Sequence, residues 1–258
     1  MNAPMVDRQQ ILDYCYSRLD VGAYSDIAIN GLQVEGAAEI NRLAIAVSTS
    51  DRTISAAAEW KAEALLVHHG LFWGGSPRPL TGLLGRRLKQ LFLNDINLIG
   101  YHLPLDGHAE IGNNALLTRL LGLESVERFA NLGGTPLGVV AETSSPISLE
   151  ELLSRISSTL EREPVAVGRD AGGKSIDRVG ILSGSGYGML AEAAGLGCQA
   201  LITGDLREPT MAEARELGMI AVAAGHEATE RTGVQALGQE LTERFGLETK
   251  YFADPNPI

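Results

Sequence analysis

Residues 42–68 read RLAIAVSTSDRTISAAAEWKAEALLVH, and this stretch decides the fold. RLAIAVS (42–48) holds an unbroken apolar run, LAIAV, and is of strand length, the signature of a strand covered on both faces. Asp51–Lys61 reads as a helix, and ALLVH (64–68) as the next buried strand. A helix between two such strands is the crossover that pairs them in parallel. The same alternation continues through a helix at Gly82–Asn94, a strand at Ile96–Tyr101 (INLIGY) and a helix at Gly112–Leu121. Upstream, Ile11, Leu12, Cys15 and Leu19 fall at helical spacing behind Asp7, a suitable N-cap. A loop, Ser25–Gly36, follows, with Asn30-Gly31 as its turn signal.

At Leu132 the composition shifts to GGTPLGVVAETSSP, which reads as a domain junction. Beyond it come a strand (Leu137–Glu142), a helix (Ser148–Leu160), a strand (Pro164–Val167), a Gly172-Gly173 turn and a strand (Arg178–Ser183). A helix at Leu190–Ala194, a strand at Ala200–Thr203, a helix at Pro209–Leu217 and a strand at Ile220–Ala224 complete the alternation. The last helix is read at Thr232–Phe245, before a short apolar end at Tyr251-Phe252. The fold class is α/β, with mixed, largely parallel sheets flanked by helices.

With 258 residues, 45% hydrophobic and 21% charged, the chain has the balance of a globular protein. The net charge of -11 disfavours general binding to phosphate backbones or anionic lipid, so nucleic acid is an improbable partner class. The longest apolar run is Met219–Ala224, far short of the ~20 residues of a membrane helix. The N-terminal MNAPMVDRQQ carries no secretory pattern, and Cys15 and Cys198 are two distant thiols in apolar contexts. Both features point to a reduced, cytoplasmic setting.

Four of the five histidines stand at or just beyond a strand end, where open α/β sheets place their sites. His68-His69 closes ALLV. Adjacent residues in an extended strand point to opposite faces, so this pair suits two neighbouring ions better than one. The plainer reading is one core and one exposed histidine. His102-Leu-Pro-Leu-Asp106 ends INLIGY, where Asp106 is a hard oxygen ligand and His102 a ligand or an orienting group; the plainer reading is a capping turn. In GHEATE (225–230), a helix start would put His226 and Glu230 at i and i+4, a chelating spacing. Alone it is also an ordinary charged helix start. Together these residues supply enough nitrogen and oxygen ligands for two metals, which would polarise a substrate and activate water.

Ser183–Gly188 (SGSGYG) reads as a phosphate cradle or, equally well, as a tight strand-to-helix turn. Thr203-Gly204-Asp205 and Glu208 either line the same cleft or cap the helix after Pro209. No G-x-S-x-G elbow or Cys–His arrangement is present, so covalent serine or cysteine catalysis has no support.

INGLQVEG (29–36), LLVHHGLFW (65–73), YHLPLD (101–106), GNNALL (112–117), ALITGDLREPTMAEARELG (200–218) and AAGHEATERTGVQAL (223–237) occur in this order. On these motifs the chain resembles the Nif-three-like family of dinuclear metal centre hexameric proteins, also labelled GTP cyclohydrolase I type 2 homologs. The resemblance spans nearly the whole chain. It implies two interlocked α/β domains: a discontinuous metal-binding domain, 1–130 plus 221–258, and an inserted domain, 131–220. It implies a homohexamer, a toroidal trimer of dimers. It carries His68, His69, Asp106, His226 and Glu230 over as ligands of two divalent ions (Zn, Mn or Fe), with Glu230 as the bridge. His102 is implied as a residue that supports a ligand from behind or contacts substrate, with His102 or a nearby carboxylate as the proton shuttle, and Asn30 as a residue reaching the site. Many members carry Asp-Asn before GLQV, where this chain has Ile29-Asn30. The function expected is metal-dependent hydrolysis of a small phosphorylated or nucleotide-like substrate; the alternative is a non-catalytic metal-binding adaptor or metal-handling protein.

Overall fold

The computed structural model describes residues 5–74, 79–132, 134–170 and 175–258. In chain order the first elements are β1 (Val6–Asp7), α1 (Arg8–Arg18), β2 (Gly31–Val34), β3 (Glu39–Ile40), β4 (Arg42–Ser48), α2 (Asp51–Glu59), β5 (Ala64–His69), α3 (Gly82–Leu93) and β6 (Asn97–Gly100). The next are α4 (Leu103–Gly107), α5 (Asn113–Leu120), β7 (Glu124–Leu132), β8 (Thr135–Ile147), α6 (Leu149–Leu160), β9 (Val165–Val167) and β10 (Ile176–Leu182). The chain continues with α7 (Leu190–Gly195), β11 (Ala200–Thr203), α8 (Thr210–Leu217), β12 (Ile220–Ala223), α9 (His226–Phe245) and β13 (Glu248–Tyr251). It divides into two compact units: Met1–Leu105 with Gly233–Pro255, and Asp106–Thr232 with Asn256–Ile258.

The first unit holds a sheet of order β13-β4-β5-β6-β2. β13, β4, β5 and β6 run parallel, and β2 closes the edge antiparallel to β6. Both faces are covered, which is why β4 and β5 read as continuous apolar runs. On one face Leu65, Val67 and Leu98 pack with Ile54 and Ala57 of α2 and Leu88 and Leu91 of α3. α9 lies close against β4: a Cβ on Gly238 would collide with the Ile45 side chain. α1 starts where Asp7 caps it, its carboxylate accepting the Gln9 N–H at 2.8 Å. A reciprocal Ser50–Thr53 capping box starts α2.

The second unit holds a sheet of order β7-β8-β10-β11-β12-β9. Its centre, β10, β11 and β12, is parallel, and β8, β7 and β9 are antiparallel flanks. Leu152, Ile156 and Leu160 of α6 and Leu117 of α5 pack with Val179, Ile181, Ile202 and Val222 into one core. Leu121 and Leu123 join that core, so the chain passes between units at Leu105/Asp106, upstream of the composition change at Leu132.

Four other differences from the sequence reading have local causes. Residues 31–34 of the expected loop form β2, the edge strand on β6. β7 gives no strand signal because most of its side chains are exposed and polar. β13 alternates exposed and half-buried residues over only four positions. α9 begins at His226, six residues before the expected start, because charged residues disguise its first turn. The Gly172-Gly173 turn lies outside the described residues. Among the described residues no helix is long and apolar enough to cross a membrane.

Candidate functional site

In each unit the ligand-type residues collect at the C-terminal edge of the parallel strands, the position expected of an α/β site. In the first unit β5 ends on His68 and His69, and His102 follows β6. The ring centroids are 4.7 Å apart for His68–His69, 5.0 Å for His68–His102 and 5.8 Å for His69–His102. One ligand atom from each can be chosen so that all three lie within 4.8 Å of one another. The expectation that His68 and His69 point apart is therefore corrected. At the strand end, bonds to two different neighbours lay both rings over the edge. His68 Nδ1 is 3.0 Å from Tyr101 O, and His69 Nδ1 is 3.0 Å from Ser48 Oγ.

His102 is held from behind by Asp26, whose carboxylate oxygens lie 3.0 and 3.1 Å from Nδ1. Asp26 also accepts the N–H groups of Ala28 and Leu103 (2.9 Å each) and of Asn30 Nδ2 (3.0 Å). Burial pushes its carboxyl up, but the His102 hydrogen bond and charge, with the Ala28 and Asn30 bonds, outweigh this and hold it well below the usual carboxylate range. Asn30 Oδ1 in turn accepts the His102 backbone N–H at 2.7 Å. Sequence reasoning named Asn30 and missed Asp26. The available signal was its place four residues before Asn30 in SDIAIN. Trp73 sets an edge against His102, ring centroids 4.9 Å apart, and walls this cluster.

In the second unit Asp106, in α4, is buried. Its Oδ1 accepts from Asn113 Nδ2 at 2.8 Å and from Ser183 Oγ at 3.0 Å. His226 and Glu230 face each other across one turn of α9, with Nε2 3.2 Å from Oε2. His226 Nδ1 is 2.8 Å from Asp205 Oδ2, and Ser185 Oγ donates to the same oxygen at 2.9 Å. Asp205 thus orients His226 rather than capping α8. The Glu230 hydrogen bond, against the opposing effect of burial, raises the His226 pKa to about 9, and the Glu230 charge and Asp205 add to it. Gly184 adopts φ +62°, and a Cβ there would collide with Glu230 Oε1, so this tight approach needs glycine.

Three amides of SGSGYG are taken within the unit, which favours the tight strand-to-helix turn over the phosphate cradle. The Ser183 N–H goes to Asn114 Oδ1 (2.7 Å), that of Gly184 to Thr229 Oγ1 (3.1 Å) and that of Gly186 to Thr203 Oγ1 (2.8 Å). These three amides are engaged by side chains of the same unit. Just beyond, the Arg207 guanidinium lies over the Tyr187 ring at 4.7 Å. Burial pushes the Cys15 thiol up to about 12 and the Cys198 thiol to about 11, so neither is a thiolate ligand at neutral pH.

The histidines share a pattern that fits metal binding. A carbonyl or carboxylate can only accept, so Tyr101 O, Asp26 and Asp205 assign a proton to Nδ1 of His68, His102 and His226. In the neutral ring this leaves the lone pair on Nε2, the usual arrangement of a metal-ligating histidine. Asp106 is likewise fixed through one oxygen by Asn113 and Ser183. His102 shares this arrangement and stands in the cluster with His68 and His69.

A family model described as Duf34/NIF3 (NGG1p interacting factor 3) matches residues 6–257. A protein of Allochromatium vinosum named "GTP cyclohydrolase 1 type 2 homolog" is 44% identical over 258 residues, covering 100% of both chains. The solved structure of protein ybgI, described as of unknown function, is 39% identical with a TM-score of 0.93, covering 98% of this chain and 100% of that one. The solved structure of TTHA1606 from Thermus thermophilus is 33% identical with a TM-score of 0.88, at the same coverage.

Proposed function

Because the chain belongs to the DUF34/NIF3 family, we propose that it is a dinuclear metal-binding protein and a metal-dependent hydrolase of a small phosphorylated or nucleotide-like substrate. On this reading His68, His69, Asp106, His226 and Glu230 would hold the two ions. The observation that carries this reading is the shared orientation of the histidines, each held at Nδ1 by a protein oxygen. A nitrogen and carboxylate donor set of this kind suits Zn, Mn or Fe.

Two divalent ions would supply Lewis-acid polarisation and water activation. The chain's own residues do the rest. Asp26 holds the His102 proton on Nδ1 and leaves Nε2 to exchange a proton with substrate or leaving group. Trp73 excludes water from one side of that ring. Arg207, steadied on Tyr187, offers a planar fork of donors to an anionic substrate group. Assembly as a toroidal homohexamer, a trimer of dimers, belongs to the same reading, as does a cytoplasmic setting.

The test is elemental analysis of protein purified without added metal or chelator, for wild type and Glu230→Ala. Near two metals per chain, with a marked loss in the variant, supports the dinuclear centre. Phosphoesters and nucleotides, GTP among them, then form the turnover screen. Metal without turnover favours the metal-handling alternative. No metal after reloading with Zn, Mn or Fe removes both. Light scattering tests for a mass six times 27.4 kDa.

A further inference from the structure

The segment 256–258 lies against the start of α9. Ile258 O accepts the His226 backbone N–H at 3.0 Å. That donor belongs to the first turn of a helix, where no intrahelical carbonyl is available. Arg162 grips the same segment. Its Nη1 donates to Asn256 O at 2.9 Å and to Ile258 O at 3.3 Å, and its Nη2 donates to Pro257 O. Glu161, left-handed at φ 53°, ends α6 and turns the chain into Arg162. The segment stiffens itself through Pro257, whose φ is fixed, and through the Ile258 N–H bonded to Asn256 Oδ1 at 3.0 Å. Gly225, immediately before His226, has φ +96°. A Cβ there would stand 2.5 Å from Arg162 Nη1 and 2.9 Å from its Cδ and Cζ, so glycine is what lets the guanidinium pass. One planar group thus gathers three successive carbonyls and delivers the last of them to the backbone of His226.

We infer that Arg162 and residues 256–258 are positioning elements for His226: they fix the backbone from which Asp205 and Glu230 then aim its imidazole. The inference rests on the metal-binding reading above. It assigns a role to Arg162, which is remote in sequence from every proposed ligand. A plain helix cap would affect stability alone. A positioning clamp also alters how a bound metal is held, because the supporting partners of a metal ligand typically influence affinity about 10–100-fold.

The test uses four proteins: wild type, Arg162→Gln, Arg162→Lys and a chain ending at Pro255. Each is titrated with cobalt(II), reading affinity and the visible absorption of bound cobalt. Amide exchange across residues 226–229 and thermal unfolding are recorded beside it. Arg162→Gln and the shortened chain are expected to bind at least one cobalt about tenfold more weakly or worse, with an altered absorption band and faster exchange at residues 226–229. Arg162→Lys should recover part of the affinity. Unchanged cobalt affinity and spectrum in the shortened chain, with exchange at His226 accelerated, would overturn the inference and leave the metal reading standing. A wild type that takes up no cobalt sinks both. Should Arg162→Gln fail to fold, the shortened chain and the lysine variant still decide the matter.

Discussion

Raising the pH of the metal-stripped protein from 6.5 to 9 is expected to weaken its fold, and His226 is the reason. Its imidazole sits between two carboxylates, 3.2 Å from Glu230 and 2.8 Å from Asp205. The Glu230 bond is the chief cause of the rise from 6.5 to about 9, with burial opposing it. Between those two values the folded chain keeps a proton that the unfolded chain has released. More protons are bound in the native state, so stability falls as pH rises. At 1.36 kcal/mol per pH unit the full effect is about 3 kcal/mol, present below pH 6.5 and gone above pH 9. The ring remains 28% exposed, so this is an upper figure. The assay is urea unfolding at pH 6.5, 7.5 and 8.5 for wild type and His226→Gln, both chelator-treated. The wild-type advantage over the variant should shrink by about 1 kcal/mol per pH unit across the series. Parallel pH curves for the two proteins would refute the argument, because glutamine carries no titrating proton.

Gly184→Ala should lose about 1–2 kcal/mol from the left-handed backbone alone. It should also shed metal by displacing the Glu230 carboxylate; unchanged metal content in elemental analysis would contradict the tight approach described. Asp26→Ala strands the N–H groups of Ala28, Leu103 and Asn30 as well as His102, and should cost about 2–4 kcal/mol in urea unfolding. Ser183→Ala should leave the binding of inorganic phosphate unaltered while weakening metal binding at Asp106, measured by titration calorimetry. Loss of phosphate binding instead would revive the cradle reading. Ile202→Ala, at the fully buried centre of β11, should cost about 2–5 kcal/mol by opening a cavity, again read by urea unfolding.

Much of this architecture was legible in the chain because the physics that buries a strand also writes it. RLAIAVS is apolar from Leu43 to Val47 since β4 is covered on both faces, and its bounds match the observed strand. β7 and β13 left no such trace: edge strands with one or both faces in solvent carry the polar composition of loops. The candidate site divides along the same line. His68, His69, His102 and His226 announce themselves by residue type and by standing at or just beyond strand ends, and Glu230 by its helical spacing from His226. The groups that hold them, Asp26, Asp205, Asn113 and Ser183, are common polar residues whose role exists only once the fold brings them to a particular nitrogen or oxygen. For SGSGYG the sequence left a cradle and a tight turn open, and the fold favours the turn. A glycine-rich turn offers amides in sequence, but only the folded chain shows that Asn114, Thr229 and Thr203 have taken them.

The pairing of β13 with β4 sets an order of assembly. Arg42 and Glu248, partners across that parallel pair, are 206 residues apart in the chain. At ribosomal speeds of about 5–20 residues per second, β4 waits some ~10–40 s for its neighbour. During that interval its outer edge and the face later covered by α9 are open to stray pairing. Residues 106–232 emerge meanwhile and can complete their own core first. The first sheet is therefore complete only when β13 has been made, and a chaperone that shields Arg42–Ser48 during synthesis is expected to raise the yield of native protein.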